Sequence, residues 1–294
     1  MKNILITGAT GYLGSHVVHR LTQDDNEPEI TVLKRHSSNL NRISGITNKL
    51  NLVDLESTKL ETLFEEHKFD AVLHFATDYG RDFQKSATEI LKSNIIFPLE
   101  LAELCKRYGV KLFLNTDTLL PDSVSPYALS KKQFREWLIS FKSDLIILNV
   151  ALEQFFGPLD DSSKFVTRVI RSLLNAEPVL PLTIGTQKRD FIFIEDAVDA
   201  IIRILESTTE KEKGFYNFEI GTGTLTSVRD FVELAKKLVN NSKTELRFGS
   251  VPLRQNEPEN IKVNLKAMAE IGWIPKWTLR NALEATISAE RSKL

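Results

Sequence analysis

The sequence predicts an α/β fold built on a doubly wound parallel sheet, with a smaller and less regular region in the second half of the chain. Short apolar runs alternate with segments of helical periodicity through the first half, which is typical of successive βαβ units. Most of these runs are apolar on both faces, as expected for strands covered by helices on either side. A glycine-rich turn joins the first apolar run to the first helical segment.

The first half of the chain carries most of the predicted sheet. Its apolar runs are short and rich in Ile, Val, Leu and Phe, and helical segments lie between them. Because crossovers between parallel strands are right-handed, these helices are expected on both faces of the sheet. The predicted strands are residues 3–7, 30–34, 49–53, 71–75, 111–115 and 145–150. The predicted helices are residues 12–23, 57–67, 87–108 and 126–142.

The second half of the chain is less regular. Its pattern indicates short strands among helices, and some of these segments are expected to rejoin the sheet. The predicted helices are residues 164–175, 196–206, 227–240, 265–271 and 279–291, and the predicted strands are 189–194 and 215–219. We therefore expect a first domain over residues 1–150, rejoined by parts of 186–225, and a discontinuous second region over 151–294.

Composition excludes several classes of protein. The chain has 294 residues and a net charge of −1, so no global field draws it to nucleic acid or to an acidic membrane. Its single cysteine, Cys105, excludes disulfide scaffolds and cysteine-based metal sites and is expected to be a buried thiol; the five histidines show no shared metal-ligand spacing. No apolar run reaches the roughly 18 residues of a membrane span, and the first residues do not resemble a signal peptide, so a cytoplasmic protein is expected.

The sequence TGATGYLG, residues 7–14, follows the first strand and opens the first helix. Glycines there permit a tight turn and a close approach to a pyrophosphate, which the helix N-terminus attracts. The turn predicts a dinucleotide-binding (Rossmann) domain, although a merely tight connection is the alternative. The predicted cofactor contacts are Gly8, Thr10, Gly11, Tyr12, Leu13 and Gly14.

The end of the second strand indicates which dinucleotide is bound. An acidic residue there holds the ribose 2′-hydroxyl in NAD enzymes. This chain has Lys34 and Arg35 instead, which suit a 2′-phosphate and predict NADP(H), unless the two are simply solvated strand ends.

The segment NTDTLLPDSVSPYALSKKQF, residues 115–134, contains the most informative pattern. Ser125 is a predicted N-cap and Pro126 a first helical residue, which places Tyr127 and Lys131 one turn apart on the same helix face. A free tyrosine has a pKa of about 10, and a nearby ammonium lowers it toward neutrality. Thr116 is expected to end the preceding strand, at the edge where doubly wound sheets bind ligands. A Tyr-x-x-x-Lys pattern also arises by chance, but its position here predicts proton transfer.

These residues resemble the extended short-chain dehydrogenase/reductase family, the NAD-dependent epimerases and dehydratases that act largely on nucleotide sugars. The resemblance implies that Thr116, Tyr127 and Lys131 are catalytic, that Asp54 contacts adenine and that the HFAT segment lines the cofactor. It also implies cofactor contacts from Leu55, Asn94, Tyr127 and Lys131. The matching positions, in order, are TGATGYLG, Asp54, Leu55, His74, Phe75, Ala76, Thr77, Asn94, Thr116, Tyr127, Lys131, FFGP (155–158), RDFIFIED (189–196) and IGTG (220–223).

Within the family, HFATDYG, LFLNTDTLL and QKRDFIFIED resemble the CDP-abequose synthase type, which reduces the C4 ketone of a CDP-linked deoxysugar during O-antigen synthesis. Dehydratases of the family carry Thr-Asp-Glu, whereas here Thr116 and Asp117 are followed by Thr118, which argues against dehydration. The resemblance thus implies NADPH-dependent C4 reduction. A C4 epimerase, a reductase of a nucleotide-linked deoxyheptose and a non-catalytic dinucleotide sensor remain alternatives.

The resemblance also implies contacts to a nucleotide-diphosphate sugar and a homodimer. Asp78 is a candidate for orienting the substrate or, equally, for capping a loop, and relatives often carry an arginine where this chain has Ala151. Helices 87–108 and 126–142 bear apolar stripes that match a four-helix dimer interface, although burial within one chain would also explain them. The candidate substrate-binding residues are Asp78, Asp117, Gln154, Arg189, Arg254 and Glu257.

Overall fold

The computed structural model describes residues 1–23, 28–80 and 86–293, which form two compact units. Unit 1 consists of Met1–Ala151 and Ile201–Phe218, and unit 2 of Leu152–Ala200 and Glu219–Leu294. Within the described ranges, no helix combines the length and the apolar character that a membrane span requires.

The strands and helices are numbered in chain order. The strands are β1 (Asn3–Thr7), β2 (Glu29–Lys34), β3 (Leu50–Asp54), β4 (Ala71–His74), β5 (Leu112–Thr118), β6 (Ile146–Leu152), β7 (Gln154–Phe156), β8 (Val179–Leu182), β9 (Lys188–Phe193), β10 (Gly214–Ile220), β11 (Leu225–Ser227) and β12 (Glu245–Phe248). The α-helices are α1 (Tyr12–Leu21), α2 (Leu60–Glu66), α3 (Ala87–Leu91), α4 (Phe97–Tyr108), α5 (Pro126–Ile139), α6 (Phe165–Leu174), α7 (Ile194–Glu206), α8 (Val228–Val239), α9 (Lys266–Glu270) and α10 (Leu279–Arg291). Short 3-10 helices cover Asn41–Lys49, Asp122–Val124 and Ser207–Glu210.

Unit 1 contains a seven-stranded sheet in the order β3-β2-β1-β4-β5-β6-β10. Strands β1 to β5 pair in parallel, and the strand order reverses between β1 and β4. The predicted doubly wound sheet is therefore confirmed. Ligands bind such sheets outside the carboxyl ends of the strands at the reversal, which here lies where β1 and β4 end.

One face of this sheet is covered by α2, α4 and α5. Phe113 of β5 and Phe134 of α5 are fully buried and meet edge to face, with ring centroids 6.3 Å apart. Burying an aromatic side chain of this size stabilises the fold by roughly 1.5–3 kcal/mol. Cys105 of α4 lies in the same core, where burial raises the pKa of its thiol, so the expected buried thiol is confirmed.

The predicted helix over residues 87–108 is interrupted. A π-helical segment, Lys92–Ile96, separates α3 from α4. Pro98 follows at the start of α4, and because proline has no N–H it removes one hydrogen bond from the helical ladder. Such π segments often occur at functional positions, and this one contains Asn94.

Unit 2 combines two small sheets, β11-β9-β7 and β12-β8, with helices. Aromatic side chains from β7, β9 and α8 pack together at its core. The Phe191 and Phe231 rings stack with centroids 4.1 Å apart, and Phe156 meets Phe231 edge to face. This cluster fixes β7 and β9 side by side, in the register that pairs Gln154 with Phe191.

Candidate active site

The glycine turn after β1 is tightly packed against the segment after β4. Gly8 has a φ of +72°, and a Cβ there would lie 2.4 Å from the backbone nitrogen of Ala76. A Cβ on Gly14 would lie 2.3 Å from the Gly8 carbonyl oxygen, so neither position tolerates a side chain. The structure therefore brings together two predicted cofactor segments, residues 8–14 and 75–77.

The N-terminus of α1 fits an anion. Its N-cap, Gly11, offers no side-chain acceptor, and the first turn carries no acidic residue. No side chain therefore competes with an anion for the N–H groups of that turn or for the positive end of the helix dipole. Tyr12 and Leu13 are buried and Thr10 is half-buried, so backbone groups form most of the surface offered to a pyrophosphate.

Lys34 and Asp54 meet at the ends of β2 and β3. The Lys34 ammonium lies 3.2 Å from the Asp54 carboxylate, and the Leu55 N–H donates to the Lys34 carbonyl at 2.8 Å. The Glu56 N–H, followed by the Lys34 cation, lowers the pKa of the Asp54 carboxyl. Lys34 is therefore already paired with a predicted adenine contact, whereas the exposed Arg35 forms no ion pair with any described residue.

Asn94 organises the loop that follows β4. Its Oδ1 accepts from the Asp78 N–H at 2.8 Å, and its Nδ2 donates to the Asp78 carbonyl and to Ser130 Oγ. Asp78 Oδ1 accepts from the Gly80 N–H at 2.9 Å. Asp78 therefore caps this loop, which was the predicted alternative to its orienting the substrate. Asn94 thus positions residues 77–80 beside α5, and its predicted contact with the cofactor stays a prediction.

Thr116 and Asp117 point to opposite faces of β5, because side chains alternate along a strand. Strand β5 continues to Thr118, so the expectation that Thr116 ends the strand was wrong, although pairing with β4 stops at Asn115. Thr116 Oγ1 donates to the His74 carbonyl at 3.2 Å.

The Asp117 side chain, which is predicted to orient substrate, is fully buried. Its carboxylate accepts from Asn149 at 3.1 Å and lies 3.6–3.7 Å from the cations of Lys132 and Arg135. Two cations thus balance the buried carboxylate, and its contact with substrate stays a prediction.

Helix α5 begins as predicted. Ser125 caps it by accepting from the Ala128 N–H at 3.1 Å, and Pro126 occupies its first turn, so both predictions are confirmed. Tyr127 is half-buried, and the centroid of its ring lies 4.9 Å from the centroid of the Tyr79 ring. Lys131 follows one turn later on the same face of the helix.

The Lys131 ammonium is buried beside His74. Lys131 is only 1% exposed, and its Nζ has no hydrogen-bond partner among the described residues. Burial lowers its pKa to about 8, against the opposing charge of Asp117. Burial and the Lys131 charge together hold the pKa of the His74 imidazole well below its ordinary value, so this ring is neutral and bonds to Thr7 Oγ1 at 2.7 Å.

Unit 2 brings together several residues predicted to bind substrate. Arg189 of β9 is 3% exposed; its Nη2 lies 2.7 Å from Glu257, and its Nε lies 3.4 Å from Glu153. Gln154 is half-buried on the neighbouring β7, and Arg254 is exposed in the loop that leads to Glu257. Ala151, the departure from relatives noted above, is buried in β6.

A family model for the NAD-dependent epimerases and dehydratases matches residues 4–221. The chain belongs to the NAD-dependent epimerase/dehydratase family. It is 29% identical to a CDP-abequose synthase of Salmonella muenchen, with 98% of this chain and 97% of the relative covered. A CDP-abequose synthase of Salmonella typhimurium is also 29% identical, with 96% of each chain covered.

Solved structures share this fold. The UDP-glucose 4-epimerase of Thermotoga maritima, solved with UDP-glucose, superposes with a TM-score of 0.84 at 25% identity, covering 99% of each chain. The UDP-glucuronic acid 4-epimerase of Bacillus cereus, solved with UDP-glucuronic acid and NAD, shares the fold with a TM-score of 0.84 at 23% identity, over 99% of this chain and 100% of that one. The family model and the curated relatives confirm the resemblance to the epimerase/dehydratase family, and the protein is an NAD(P)-dependent enzyme.

Two residues with contacts to predicted site residues, Ser130 and Glu153, were not predicted from the sequence. Ser130 links Asn94 to the Tyr127 carbonyl, at 3.0 and 2.8 Å, but a serine in a helix carries no distinctive signal. Glu153 did carry one, because it is an acid within the apolar run NVALEQFF. An acidic residue in such a run is buried only if something compensates its charge.

Proposed function

We propose that this protein catalyses the NADPH-dependent reduction of the C4 keto group of a nucleotide-linked deoxysugar, with CDP as the carrier, for a sugar of O-antigen or another surface polysaccharide. The observation that carries the proposal is Tyr127 one helical turn from the buried Lys131 ammonium, which has no hydrogen-bond partner in the described residues. Two CDP-abequose synthases match nearly the whole chain, and this similarity supports the proposed substrate class.

The side chains of unit 1 supply the proton chemistry. The nicotinamide cofactor, when bound at the glycine turn, supplies the hydride that reduction of a ketone requires. Tyr127 donates its phenolic proton to the C4 oxygen as negative charge develops there. The Lys131 ammonium then stabilises the phenolate that remains, since an opposite charge favours the ionised form. Thr116 Oγ1 donates to the His74 carbonyl and offers its hydroxyl to the C4 oxygen by rotating that hydrogen.

The residue after Asp117 supports reduction rather than dehydration. Elimination of water needs an acid here, as in the Thr-Asp-Glu sequence of dehydratases, but this chain has Thr118. Thr118 is buried, and its hydroxyl accepts from the Leu120 N–H at 3.2 Å. A hydroxyl held in this way is a far weaker proton donor than a carboxylic acid.

NADPH is the proposed cofactor because cations follow β2 where NAD enzymes carry an acid. Since Lys34 is paired with Asp54, we assign the 2′-phosphate mainly to Arg35. A charge-assisted hydrogen bond contributes roughly 1.5–3 kcal/mol, so Arg35→Ser should raise the KM for NADPH roughly tenfold or more and leave that for NADH unchanged. Arg203→Ser, which removes an exposed cation on α7, is the control. A wild type that prefers NADH would contradict this proposal.

Unit 2 supplies the proposed contacts to the diphosphate. Arg189 and Arg254 are the cations assigned to it, Glu257 is assigned to the nucleoside ribose, and Gln154 is assigned to the sugar. These roles follow the resemblance to nucleotide-sugar enzymes, and the packing of Arg189 against Glu257 at 2.7 Å supports a common site for the two.

A homodimer is proposed through the helices of residues 87–108 and α5. Leu91, Ile96, Leu129 and Trp137 project from these helices with 41–57% of their surface exposed. The hydrogen bond from Asn94 to Ser130 holds the two helical segments side by side, so the exposed apolar residues belong to adjoining elements. Sedimentation at micromolar concentration should give about twice the 33.4 kDa chain mass, and Trp137→Asp should give the single chain. A wild type that sediments as one chain would count against the dimer.

A substrate panel tests the proposed function. The protein is incubated with NADPH and CDP-, dTDP-, GDP- or UDP-linked 4-keto-6-deoxysugars, while absorbance of the reduced nicotinamide is followed and the product is identified by NMR. We expect stoichiometric NADPH oxidation with a new C4 hydroxyl, fastest on a CDP-linked sugar. If no 4-keto sugar is reduced, the proposal is wrong.

Nucleotide-sugar C4 epimerisation is the second candidate, because the 4-epimerase of Thermotoga maritima matches 99% of the chain. An epimerase returns hydride to its own intermediate, so it would convert a C4 hydroxyl sugar without net change in nicotinamide absorbance. A 4-keto deoxyheptose added to the panel distinguishes the remaining reductase alternative.

A further inference from the structure

Glu153 is a buried carboxyl that the proposed chemistry does not use. Its side chain is 4% exposed, and Oε1 lies 3.4 Å from Arg189 Nε. Oε2 is fully buried and makes no hydrogen bond within the described residues. The side chain precedes β7 directly, so the pairing of β7 with β9 fixes it beside the guanidinium.

The Arg189 guanidinium is held from three sides. Glu153 faces its Nε, Glu257 accepts from Nη2 at 2.7 Å, and Nη1 donates to the carbonyls of Lys188 and Pro258 at 2.8 and 3.0 Å. Its orientation therefore depends on two carboxylates from different parts of unit 2. One of them is buried, and the other, Glu257, is 21% exposed.

Two carboxyl groups, those of Glu153 and Glu257, flank this cation, and the charge of a third acts on Glu153. The third is the buried Asp190, which follows Arg189 on β9 and accepts from Thr222 and Gly223 at 2.7–3.0 Å. If all three were ionised, the cluster would carry two net negative charges and would repel a diphosphate. Burial raises the pKa of Glu153 to about 8; the Arg189 charge opposes this increase, and the Asp190 charge adds to it. At neutral pH, Glu153 is therefore mostly protonated, and one net negative charge is removed.

We propose that Glu153 is a positioning residue for Arg189 and that the proton on its buried carboxyl keeps unit 2 competent to bind a nucleoside diphosphate. This inference rests on the proposed assignment of Arg189 to the diphosphate. Loss of the proton strengthens the attraction of Glu153 for Arg189 and adds negative charge beside the anion. Affinity for the diphosphate then falls as the pH rises above 8, by at most tenfold per pH unit for a single proton.

The test is the affinity for CDP as a function of pH, measured by calorimetry on the full chain with NADP⁺ present, with UDP, dTDP and GDP in parallel. The last phosphate ionisation of these probes lies near pH 6, below the range of pH 7.5–9.5. Wild type should bind roughly ten- to thirtyfold more weakly at pH 9.5 than at 7.5. Glu153→Gln, a neutral isostere, should change less than about threefold over this range.

Lys131 also titrates near pH 8, so the pH dependence of wild type alone does not identify Glu153. The criterion is the difference in the pH dependence of CDP affinity between wild type and Glu153→Gln. Glu257→Gln removes the other carboxylate on the same guanidinium and should keep the pH dependence. In turnover assays, Glu153→Gln should lower the KM for the nucleotide sugar at pH 9 and leave kcat within about twofold.

If the pH profiles of wild type and Glu153→Gln coincide, the role of Glu153 is overturned while the proposed function stands. If none of the four nucleotides binds at any pH, both are overturned. Should Glu153→Gln fail to fold, calorimetry of the Lys131→Met variant at pH 8.5 in buffers of different ionisation enthalpy replaces it, because Lys131 then contributes no proton. Uptake of about half a proton or more on CDP binding supports the proposal, and no uptake refutes it.

Discussion

Tyr127→Phe should lower kcat by roughly 10²–10⁴-fold while NADPH binding stays within about twofold of wild type. The magnitude is that expected for the loss of a positioned general acid. The aromatic ring contributes packing with Tyr79, at a centroid distance of 4.9 Å, and phenylalanine preserves it. The helix is capped by Ser125 and not by the phenol, so the fold is expected to be unaffected.

The measurement is single-turnover oxidation of bound NADPH, with cofactor affinity determined from its fluorescence. Tyr108→Phe is the matched control, since it removes a hydroxyl of unit 1 that donates only to Glu65, at 3.1 Å. This control should keep full turnover. Near-normal turnover in Tyr127→Phe would remove the phenol from the mechanism.

Lys131→Met should abolish most turnover and yet stabilise the protein in the absence of cofactor. The Lys131 ammonium is buried without a hydrogen-bond partner in the described ranges, and burial lowers its pKa from 10.5 to about 8. One pKa unit corresponds to about 1.4 kcal/mol, so at pH 7, where both folded and unfolded chains are protonated, the buried charge costs the folded state about 3 kcal/mol. Methionine fills similar volume without the charge.

The pH dependence of stability distinguishes this cause from general repacking. Between pH 8 and 10.5 the unfolded wild type binds more protons at Lys131 than the folded one, so this group makes the free energy of unfolding rise with pH. The advantage of Lys131→Met should therefore be full below pH 8 and shrink toward pH 10.5. Thermal unfolding at pH 7 and pH 10 measures it.

Lys111→Met, at an exposed position, is the control and should change neither activity nor stability. A Lys131→Met variant that is less stable than wild type at pH 7 would show that the ammonium is already well compensated in the folded protein. Retained turnover would mean that the lysine does not assist Tyr127.

Several elements were predicted because their signal is local. The six strands of the first half, the glycine turn and the capped start of α5 follow from apolar periodicity and from residues with restricted backbone preferences. Strands β7, β8, β11 and β12 were missed because each has only three or four residues, too few to show alternation. Pro181 within β8 also argues against a strand, and only an edge position accommodates it.

The interrupted helix shows a further limit. Residues 87–108 read as one helical stripe, but the structure has two α-helices joined by a π segment before Pro98. Pro98 is visible in the sequence, but the π segment before it is not. That segment contains Asn94, whose side chain bonds to Ser130 of α5 and to the Asp78 backbone, and these contacts exist only in the folded chain.

The parallel sheet, the anion-binding turn and the spacing of Tyr127 and Lys131 could be predicted from the sequence, because each is signalled by residues close together in the chain. Which charges are paired with each other became clear only from the fold. Lys34 is paired with Asp54, Asp117 is buried among cations, and Arg189 lies between Glu153 and Glu257. Such pairings join residues between 15 and 68 positions apart, and no periodic pattern encodes contacts over those separations.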